Sequence, residues 1–305
     1  MSLDAATARL RAALAGDVRV NEPMARHTTF RIGGPAALLC ELAEIHDVAE
    51  ALRILREEEV PWAVLGKGSN VLVADSGYSG AVLILGREFK RHVIDEGEIR
   101  AGAASVLAHI VQEAFNQGLT GLSWGVGIPG TLGGALAMNA GTHEGWIGQI
   151  VDTVTLFTQE NGLALLHGRD IVWDYRRSGL AGRGIILEAT LTVGEGDAVR
   201  IRAEMERALK ARKSGQPLGR PSAGSVFVNP PGDSAGRLIE AAGLKGLRIG
   251  GARVSPVHAN FIVNEGGATA ADVVALIQRI QTTLKDREGV ELRPEIRFLG
   301  TFEEA

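Results

Sequence analysis

Two glycine-rich segments present the main chain in a form that suits a flat or phosphate-bearing ligand. Residues 125–141 carry no charged side chain and are dense in glycine, which lacks a Cβ atom and leaves amide N–H groups exposed. Residues 66–70, Gly-Lys-Gly-Ser-Asn, follow a predicted buried strand at 62–65. We therefore expect separate loops to hold a large cofactor. The alternative for residues 125–141 is a glycine turn that leads into a tightly packed helix of small residues.

The loop at 66–70 matches neither standard nucleotide fingerprint. A phosphate loop places its lysine after the second glycine, whereas Lys67 lies between Gly66 and Gly68. A Rossmann fingerprint opens a helix, but residues 71–74 predict another strand. The sequence therefore excludes both common classes of nucleotide-binding motif at this position.

Ser225 lies in a turn between Gly224 and the pair Pro230 and Pro231. The surrounding residues do not form Gly-x-Ser-x-Gly, and no nearby histidine and carboxylate complete a hydrolase triad. A serine hydroxyl is a weak acid, so it can protonate only a very strong base such as a carbanion or an enolate. Ser225 is therefore a candidate general acid, and a structural role in the turn is the alternative.

Glu295 and Arg297 lie two residues apart on a predicted strand at 295–299, so we expect both side chains on one face. In the functional interpretation, Arg297 binds a substrate carboxylate while Glu295 hydrogen-bonds to the substrate as charge develops. In the structural interpretation, the two side chains only pair with each other.

Three further groups have a structural and a functional interpretation. Residues 173–178 form a compact cluster of donors or a solvated loop. A basic helix end is either a solvated face or a cradle for a diphosphate, and it consists of Arg207, Lys210, Arg212 and Lys213. His258, at the entrance of a predicted strand, is assigned a structural role.

The composition is that of an ordinary globular protein. The chain has 305 residues, of which 45% are hydrophobic and 22% charged, and it is long enough for two or three domains. A net charge of -4 gives no drive toward nucleic acid or membrane. Cys40 is the only cysteine, and the seven histidines show no metal-ligand spacing, so neither an internal disulfide nor a metal site is expected. No targeting or membrane-spanning pattern is present, and we expect a cytoplasmic protein.

The hydrophobic pattern predicts alternating helices and strands, typical of an α/β or α+β architecture. Predicted helices cover residues 4–15, a segment with an Asp47/Glu50 capping box that ends near 58, a segment from a Ser105 cap to Gly118, and 199–213, 236–242 and 270–287. Predicted strands cover 62–65, 71–74, 81–85, 93–94, 98–101, 151–158, 184–193, 260–263 and 295–299. Residues 21–35 are expected to be irregular or extended, and 216–221 to form an extended linker.

Six motifs, taken in order, resemble the UDP-N-acetylenolpyruvoylglucosamine reductase family of bacterial peptidoglycan precursor synthesis. They lie at residues 65–70, 127–134, 138–141, 175–178, 224–227 and 294–297, with 243–246, 250–252 and 258–261 adding to them. The resemblance covers about residues 21–300. It implies an α+β fold in which a two-lobed FAD-binding domain of the vanillyl-alcohol oxidase type is followed by an α+β substrate-binding domain. The implied boundaries are 1–79 and 80–196 for the two lobes and 197–305 for the substrate domain.

The resemblance also implies a two-step reaction. NADPH reduces non-covalently bound FAD, and the reduced flavin passes hydride to the enolpyruvyl double bond of UDP-N-acetylglucosamine enolpyruvate. A proton on the adjacent carbon then completes the lactyl ether of UDP-N-acetylmuramate, which links the chain to cell-wall biogenesis, cell shape and cell division. In this resemblance Ser225 is the proton donor, and Glu295 and Arg176 support the charge that forms in the transition state.

The matching motifs also imply which residues of this sequence bind FAD and the substrate. The implied FAD-binding residues are Gly66, Lys67, Gly68, Ser69, Asn70, Gly127, Ile128, Pro129, Gly130, Thr131, Gly133, Gly134 and Asn139. The implied substrate-binding residues are Tyr175, Lys213, Asn229 and Arg297, with Arg297 on the substrate carboxylate. No nucleic acid, membrane insertion or metal is implied, and the expected oligomeric state is a monomer.

Two departures from the family pattern and two rival functions remain. Val228 stands where many relatives have lysine, and the short link after residues 184–193 is typical of the compact branch that lacks a tyrosine-bearing loop over the substrate. One rival is a flavoenzyme of the same fold that oxidises a hydroxy acid or an alcohol, often with a flavin-linked histidine, which residues 66–70 do not contain. The other is a non-catalytic nucleotide-binding module, against which the joint presence of Ser225, Glu295 and Arg176 argues.

Overall fold

Residues 3–302, the part of the chain that this computed structural model describes, contain both helices and strands, with a run of eight strands between the fourth and fifth helices. The helices are α1 (Leu3–Ala13), α2 (Ile45–Glu57), α3 (Leu107–Asn116), α4 (Leu132–Ala137), α5 (Ala198–Gly215), α6 (Ala235–Ala241) and α7 (Ala270–Glu288). The strands are β1 (Val18–Pro23), β2 (Pro35–Leu42), β3 (Trp62–Val64), β4 (Val71–Val73), β5 (Tyr78–Leu85), β6 (His92–Asp95), β7 (Glu98–Gly102), β8 (Leu119–Thr120), β9 (Gly141–Thr142), β10 (Gly145–Trp146), β11 (Val151–Thr158), β12 (Gly162–His167), β13 (Trp173–Asp174), β14 (Arg177–Ser178), β15 (Ile185–Thr192), β16 (Gly194–Glu195), β17 (Arg248–Ile249), β18 (Ala252–Val254), β19 (Ile262–Asn264) and β20 (Arg297–Leu299).

The chain forms two compact units, each assembled from three segments. Unit 1 contains residues 3–20, 38–67 and 80–211, and unit 2 contains residues 21–37, 68–79 and 212–302. The larger sheets are a five-stranded one in the order β12-β11-β15-β7-β6, a four-stranded one in the order β1-β2-β5-β3, and a three-stranded one in the order β17-β18-β19.

Unit 1 has two hydrophobic cores. In one, the antiparallel five-stranded sheet contributes Val154 and Leu191 to a cluster with α3, whose Leu107, Ile110 and Val111 recur every three or four residues on one helix face. In the other, α1 and α2 pack together with β2 and β5. The spacing of apolar residues along each helix thus decides which face of the helix packs against a sheet.

Unit 2 has one core, built on α7. This helix begins at a capping box in which Thr269 and Asp272 bond each other's main chain, and it ends at Gly289 in the left-handed conformation, φ 67°. Its buried stripe packs on the antiparallel strands β18 and β19 and on α6. Phe30 and Leu72, from the two N-terminal segments of the unit, complete the same core.

The predicted capping box at Asp47 is wrong. Helix α2 begins at Ile45, so Asp47 lies in its first turn, where it is fully buried. One carboxylate oxygen accepts from the N–H of Ala15 at 2.9 Å, and the other accepts from Gly16 at 3.2 Å and Ala43 at 2.7 Å. The carboxylate therefore accepts hydrogen bonds from the main chain of the loop between α1 and β1, as well as from Ala43, which precedes its own helix.

Ser105 is likewise not the N-cap of α3. The N-cap is Val106, and the Ser105 hydroxyl donates to the carbonyl of Arg91 at 3.1 Å. The local pattern predicts that Asp47 and Ser105 cap helices, but both side chains instead form hydrogen bonds with main-chain groups that are distant in the sequence. Strands β1, β2 and β12 are present where the sequence analysis predicted none.

We expect Asp47→Ala to lower the free energy of unfolding by about 3 kcal/mol or more, because three main-chain donors lose their acceptor and each buried orphan costs about 1–3 kcal/mol. Urea unfolding followed by circular dichroism measures the change. Asp95→Ala, at an exposed position of β6, is the matched control. Equal stability of the two variants would contradict the role given to Asp47.

Candidate active site

Unit 1 contains an elongated cavity of about 1060 Å³. Part of its wall is formed by Ala164, Leu156 and Ile186, which are paired in register on β12, β11 and β15. His92 on β6 also lines it, and because β6 lies four strands from β12 the cavity extends roughly 19 Å at about 4.8 Å per strand. This volume lies just above the range of about 300–1000 Å³ for small-molecule and cofactor sites.

The loop after β3 forms one wall of this cavity. Strand β3 runs parallel to β5, and the N–H of Leu65 still donates to the carbonyl of Leu83 at 2.9 Å. Gly66 and Lys67 then leave the sheet at the carboxyl end of β3 and line the cavity. A Cβ atom on Gly66 would lie 2.6 Å from Thr131 Oγ1, so the close approach of these two loops requires glycine.

The segment that approaches Gly66 is the start of α4. Thr131 caps the helix, with its Oγ1 accepting from the N–H of Gly134 at 3.4 Å, and the N–H of Gly133 donates to the carbonyl of Ala103 at 2.8 Å. Gly134 also lines the cavity, and a Cβ atom there would meet only Thr131 Oγ1, at 3.6 Å. A larger side chain at Gly134 would therefore extend into the cavity.

The end of α4 positions the β13–β14 hairpin. The side-chain amide of the buried Asn139 donates to the carbonyl of Asp174 at 2.9 Å, and its oxygen accepts from the N–H of Gly148 at 3.1 Å. The buried Ser178 donates from its hydroxyl to the carbonyl of Ala137 at 3.1 Å. Both the nitrogen and the oxygen of the Asn139 side chain are thus hydrogen-bonded to main-chain groups. Together with the Ser178 bond, the bond to Asp174 holds the hairpin against the glycine-rich segment.

Arg176 lies in the two-residue turn of this hairpin with φ 58°, in the left-handed region. This conformation costs a non-glycine residue about 1–2 kcal/mol. The guanidinium donates from Nη1 to the carbonyl of Gly141 at 3.0 Å, and its Cζ atom lies 5.3 Å from the centre of the Tyr175 ring. Two contacts therefore orient the arginine despite its unfavourable main-chain conformation.

In unit 2, Ser225 lies on an extended segment held between two others. Ser225 forms an isolated β-bridge with Phe261, and Phe227 forms one with Pro294. The N–H of Glu295 donates to the carbonyl of Val226 at 2.7 Å. The structure thus brings together Ser225 and Glu295, which are far apart in the sequence. No hydrogen bond of the Ser225 hydroxyl is present among residues 3–302.

The buried Asn260 fixes this segment. Its side-chain oxygen accepts from the N–H of Phe227 at 2.9 Å and its side-chain amide donates to the carbonyl of Phe227 at 2.8 Å. The N–H of Asn260 in turn donates to Nδ1 of His258 at 3.2 Å, and the His258 ring packs edge-on against Phe261. The role of Asn260 carries no local signal in the sequence, because the residue that it bonds lies 33 positions away.

Asn70 joins the same part of unit 2. Its side-chain amide donates to the carbonyl of Glu295 at 3.3 Å, and its own carbonyl accepts from the N–H of Arg297 at 2.9 Å. Strand β20 begins only at Arg297 and follows a bend at Ile296, so the prediction that Glu295 and Arg297 share one strand face is wrong. The main-chain bond from Glu295 to Val226 draws the glutamate out of the strand.

Asn229 and Lys213 occupy exposed positions of unit 2. The side-chain oxygen of Asn229 accepts from the N–H of Ala235, at the start of α6, at 3.0 Å. Lys213 lies in the last turn of α5. The basic helix end of the sequence analysis is thus divided between the units, because Arg207 and Lys210 belong to unit 1.

Two family models match this chain. The model described as "FAD binding domain" matches residues 36–163, and the one described as "UDP-N-acetylenolpyruvoylglucosamine reductase, C-terminal domain" matches residues 216–299. A reductase of the second name from Moorella thermoacetica is 43% identical over 98% of this chain and 99% of its own length. The chain belongs to the UDP-N-acetylenolpyruvoylglucosamine reductase family.

Further relatives agree with this membership. The reductase from Heliobacterium modesticaldum is 46% identical over 92% of this chain and 90% of its own length. The crystal structure of the reductase from Thermus caldophilus superposes with a TM-score of 0.82 at 36% identity, over 94% of this chain and 99% of that one. A berberine bridge enzyme variant shares the fold alone, with a TM-score of 0.50 at 13% identity over 63% of this chain and 44% of that one.

The comparisons confirm several predictions for this reductase. They confirm the family, the α+β fold class with an FAD-binding domain and a C-terminal substrate domain, the oxidoreductase function and FAD as the cofactor.

Among residues 3–302, no helix has the length and apolar character needed to cross a membrane. In the same range, no three His, Cys, Asp or Glu side chains are grouped so that they could hold a metal ion.

The large cavity of the reductase fits part of an FAD molecule. It combines the apolar wall of β11, β12 and β15 with two glycine-bearing loops, and at Gly134 the missing Cβ leaves space that a ligand can fill. Five of the predicted FAD-binding residues line it, namely Gly66, Lys67, Thr131, Gly133 and Gly134. Three others, Gly68, Ser69 and Asn70, belong to unit 2. Residues 127–130 lie in the turn before α4. The FAD-binding role of all these residues stays a prediction.

We expect Gly134→Leu to fold normally and to lose FAD, because its side chain would occupy the cavity. The FAD dissociation constant, measured by flavin fluorescence quenching on apoprotein, should rise at least tenfold. Gly215→Leu is the control, since Gly215 also lies in a helix with open space around it but outside the cavity. Unchanged FAD affinity of Gly134→Leu would show that the cofactor lies elsewhere.

His258 should make the stability of unit 2 depend on pH. Burial, and then the nearby Lys245, lowers the pKa of His258, whereas Glu240 opposes this shift. Since the folded pKa lies below the unfolded value of about 6.5, the unfolded chain takes up the proton first. Stability is therefore full above pH 6.5 and falls as the pH drops through the interval between the two values.

We expect this loss in the free energy of unfolding measured between pH 7.5 and 5.5. His258→Gln cannot take up the proton, so its loss over the same interval should be smaller. An identical pH profile of wild type and variant would exclude His258 as the titrating group.

Proposed function

We propose that this chain reduces the enolpyruvyl group of UDP-N-acetylglucosamine enolpyruvate to UDP-N-acetylmuramate, a step of peptidoglycan precursor synthesis, with NADPH as the electron donor. The observation that carries this proposal is similarity to named reductases over almost the full chain, across both the FAD-binding and the C-terminal domain. The juxtaposition of Ser225 and Glu295 in unit 2 supports it independently.

FAD, when bound without a covalent link, would accept hydride from NADPH and supply it to the enolpyruvyl double bond. The chain would hold it through the loops at 66–70 and 127–134, with Asn139 positioning the neighbouring hairpin. Exposed main-chain amides and one lysine suit the diphosphate of such a dinucleotide.

In this proposal Ser225 is the catalytic acid. As the double bond gains hydride at its methylene carbon, the electron pair moves to the carbon beside the carboxylate, and the Ser225 O–H bond breaks to form the new C–H bond there. Such a carbon is basic enough for a serine hydroxyl, and water then returns the proton to the serine. The main-chain bonds from Val226 to Asn260 and to Glu295 hold the hydroxyl in place.

Glu295 and Arg176 are proposed to stabilise the charge that accumulates on the substrate carboxylate, and Arg297 to bind that group. The contacts of Arg176 with Gly141 and Tyr175 fix its guanidinium before the substrate arrives, so little reorganisation is needed during the reaction. Tyr175, Lys213 and Asn229 are proposed contacts to the UDP-sugar.

The purified protein tests the proposal directly. It should be yellow, it should bleach with NADPH without oxygen, and it should recover its colour when UDP-N-acetylglucosamine enolpyruvate is added. Recovery with a hydroxy acid's keto product instead would favour a different flavoenzyme of this fold. A colourless protein that takes up no FAD would contradict the proposal.

We expect Ser225→Ala to leave flavin reduction by NADPH nearly intact and to slow reoxidation by the enolpyruvyl substrate by several orders of magnitude. Stopped-flow absorbance separates these two half-reactions. The variant should be as stable as the wild type, because the Ser225 hydroxyl has no hydrogen bond among residues 3–302. Ser222→Ala, on the same segment, is the control, and equal reoxidation rates for the two variants would remove Ser225 from the mechanism.

The three-domain division at residues 79 and 196, the monomeric state and the cytoplasmic location stay predictions. Size-exclusion chromatography with light scattering measures the oligomeric state.

A further inference from the structure

Hydrogen bonds from Asn260 hold both residues that follow Ser225. The N–H of Val226 donates to the carbonyl of Asn260 at 2.8 Å, and the side chain of Asn260 bonds the N–H and the carbonyl of Phe227. The carbonyl of Val226 also accepts from the N–H of Glu295 at 2.7 Å. A displacement of Asn260 therefore displaces the main chain at both Ser225 and Glu295, the two groups of unit 2 to which the reaction assigns a proton and a charge.

The position of Asn260 depends in turn on the protonation state of His258. The main-chain N–H of Asn260 donates to Nδ1 of His258 at 3.2 Å. This nitrogen accepts a hydrogen bond only while the ring is neutral, with its proton on Nε2. An imidazolium carries a proton on Nδ1 as well, so two donors would then face each other. Uptake of one proton by His258 therefore replaces an attractive contact with a repulsive one.

The structure leaves the His258 ring little room to turn away from Asn260. The Ser255 hydroxyl oxygen accepts from the N–H of His258 at 3.3 Å, and the N–H of Phe261 donates to the carbonyl of His258 at 3.0 Å. The ring packs edge-on against Phe261, with 5.0 Å between the ring centres. On α6, a Cβ atom at Gly236 would lie 3.1 Å from Cε1 of the ring. The repulsion after protonation therefore acts on Asn260.

Two charged side chains act on the His258 ring. Lys245 disfavours the imidazolium and Glu240 on α6 favours it, and these two side chains pair with each other at 2.8 Å. The other charged residue of α6, Arg237, pairs with Asp233. The pairing of Glu240 with Lys245 leaves no carboxylate on α6 that is dedicated to a charged His258.

Burial sets the direction in which His258 titrates. The ring is half-buried, so it exchanges protons with solvent, and burial followed by the charge of Lys245 lowers its pKa below the usual value of about 6.5. The segments that Asn260 joins, residues 224–230 and 255–264, contain no Asp, Glu, Lys or Arg. His258 is therefore neutral at pH 7.5 and gains its charge only below pH 6.5.

We propose that His258 and Asn260 are positioning residues for proton transfer from Ser225, and that only the neutral His258 ring keeps the hydroxyl in place for this transfer. The inference rests on the proposed function and deepens it, because it makes the second half-reaction depend on a histidine that acts through the main chain of Asn260. The proton that His258 takes up comes from solvent and stays on the ring. The substrate still receives the proton of Ser225.

The pH dependence of reoxidation tests this proposal. In stopped-flow experiments on the FAD-loaded enzyme, reduced by NADPH and mixed with saturating UDP-N-acetylglucosamine enolpyruvate, the rate constant should fall at least threefold from pH 7.5 to 5.0. His258→Asn keeps an acceptor at the position of Nδ1, because its side-chain oxygen is also bonded to Cγ, but it does not titrate. Its rate at pH 7.5 should lie within threefold of the wild type, and its fall at pH 5.0 should disappear.

His258→Leu removes the acceptor at every pH. Its reoxidation should be at least tenfold slower than that of the wild type at pH 7.5, with little further loss at pH 5.0. His167→Asn, at an exposed position of β12, is the control for loss of a histidine and should keep the wild-type profile. An unchanged acid limb in His258→Asn, or wild-type rates in His258→Leu, would overturn the proposal.

A matched pair of asparagines separates positioning from general support of the fold. Asn264 is also buried, and its side chain donates to the carbonyl of Phe30 at 3.1 Å and accepts from the N–H of Gly266 at 2.9 Å. Asn260→Ala should slow reoxidation at least tenfold and leave flavin content and reduction by NADPH unchanged, whereas Asn264→Ala should slow it less than threefold. Equal slowing by both variants would contradict the positioning role of Asn260.

NMR on the oxidised, FAD-loaded wild type tests the coupling without turnover. Selective ¹⁵N labelling of phenylalanine gives only eight amide signals. The signal of Phe227 should shift with pH at the same midpoint as the ring protons of His258, and this shift should be absent in His258→Asn. A Phe227 signal that does not respond while the His258 ring titrates would overturn the proposal.

The two ways of failing are distinguishable. Reoxidation of Ser225→Ala at the wild-type rate would overturn the proposed proton donor, whatever the NMR result. A slow Ser225→Ala enzyme together with a Phe227 signal that is independent of His258 would overturn only the positioning role.

Discussion

Hydrogen bonds from buried side chains to the main chain of loops are the interaction on which the candidate site depends. Asn260 bonds both main-chain groups of Phe227, and so holds the segment that carries Ser225. Asn139 does the same for the hairpin that carries Arg176. Main-chain groups that strand pairing leaves without a partner need another one, and in these segments the side-chain amide of a buried asparagine provides it. The segments that carry the proposed catalytic groups are therefore held by hydrogen bonds from other side chains, those of Asn139 and Asn260.

Elements that depend on local pattern were predicted well. Helix α3 was expected from apolar residues on one face and α7 from its amphipathic stripe, and both are present close to the predicted bounds. Strand β2 was missed because residues 36–40 are apolar at consecutive positions, so the sequence shows no alternation, although in the structure one strand face is buried and the other is mostly half-buried. Strand β12 was missed because Leu163 and Leu165 face solvent while Ala164 and Leu166 face inward, so apolar residues occupy both faces.

The chemistry of the site was easier to predict than its supports. Glycine-rich motifs keep their order in the sequence, and the resemblance based on them is confirmed by relatives that match nearly the whole chain. The partners of those motifs are distant: Asn70 is 225 residues from Glu295. Such pairs leave no periodic signal, and for the same reason Asp47 and Ser105 were assigned to caps although tertiary partners take their side chains.

The segmented construction of unit 2 has a consequence for synthesis on the ribosome. Phe30, Ile32 and Leu72 belong to a core whose other members begin at Ala223. The ribosome must add residues 73–222 before that core can close, which takes roughly 8–30 s at about 5–20 residues per second. During this time the side chains of Phe30, Ile32 and Leu72 lack their C-terminal core partners, and chaperones that bind nascent apolar segments would find them exposed.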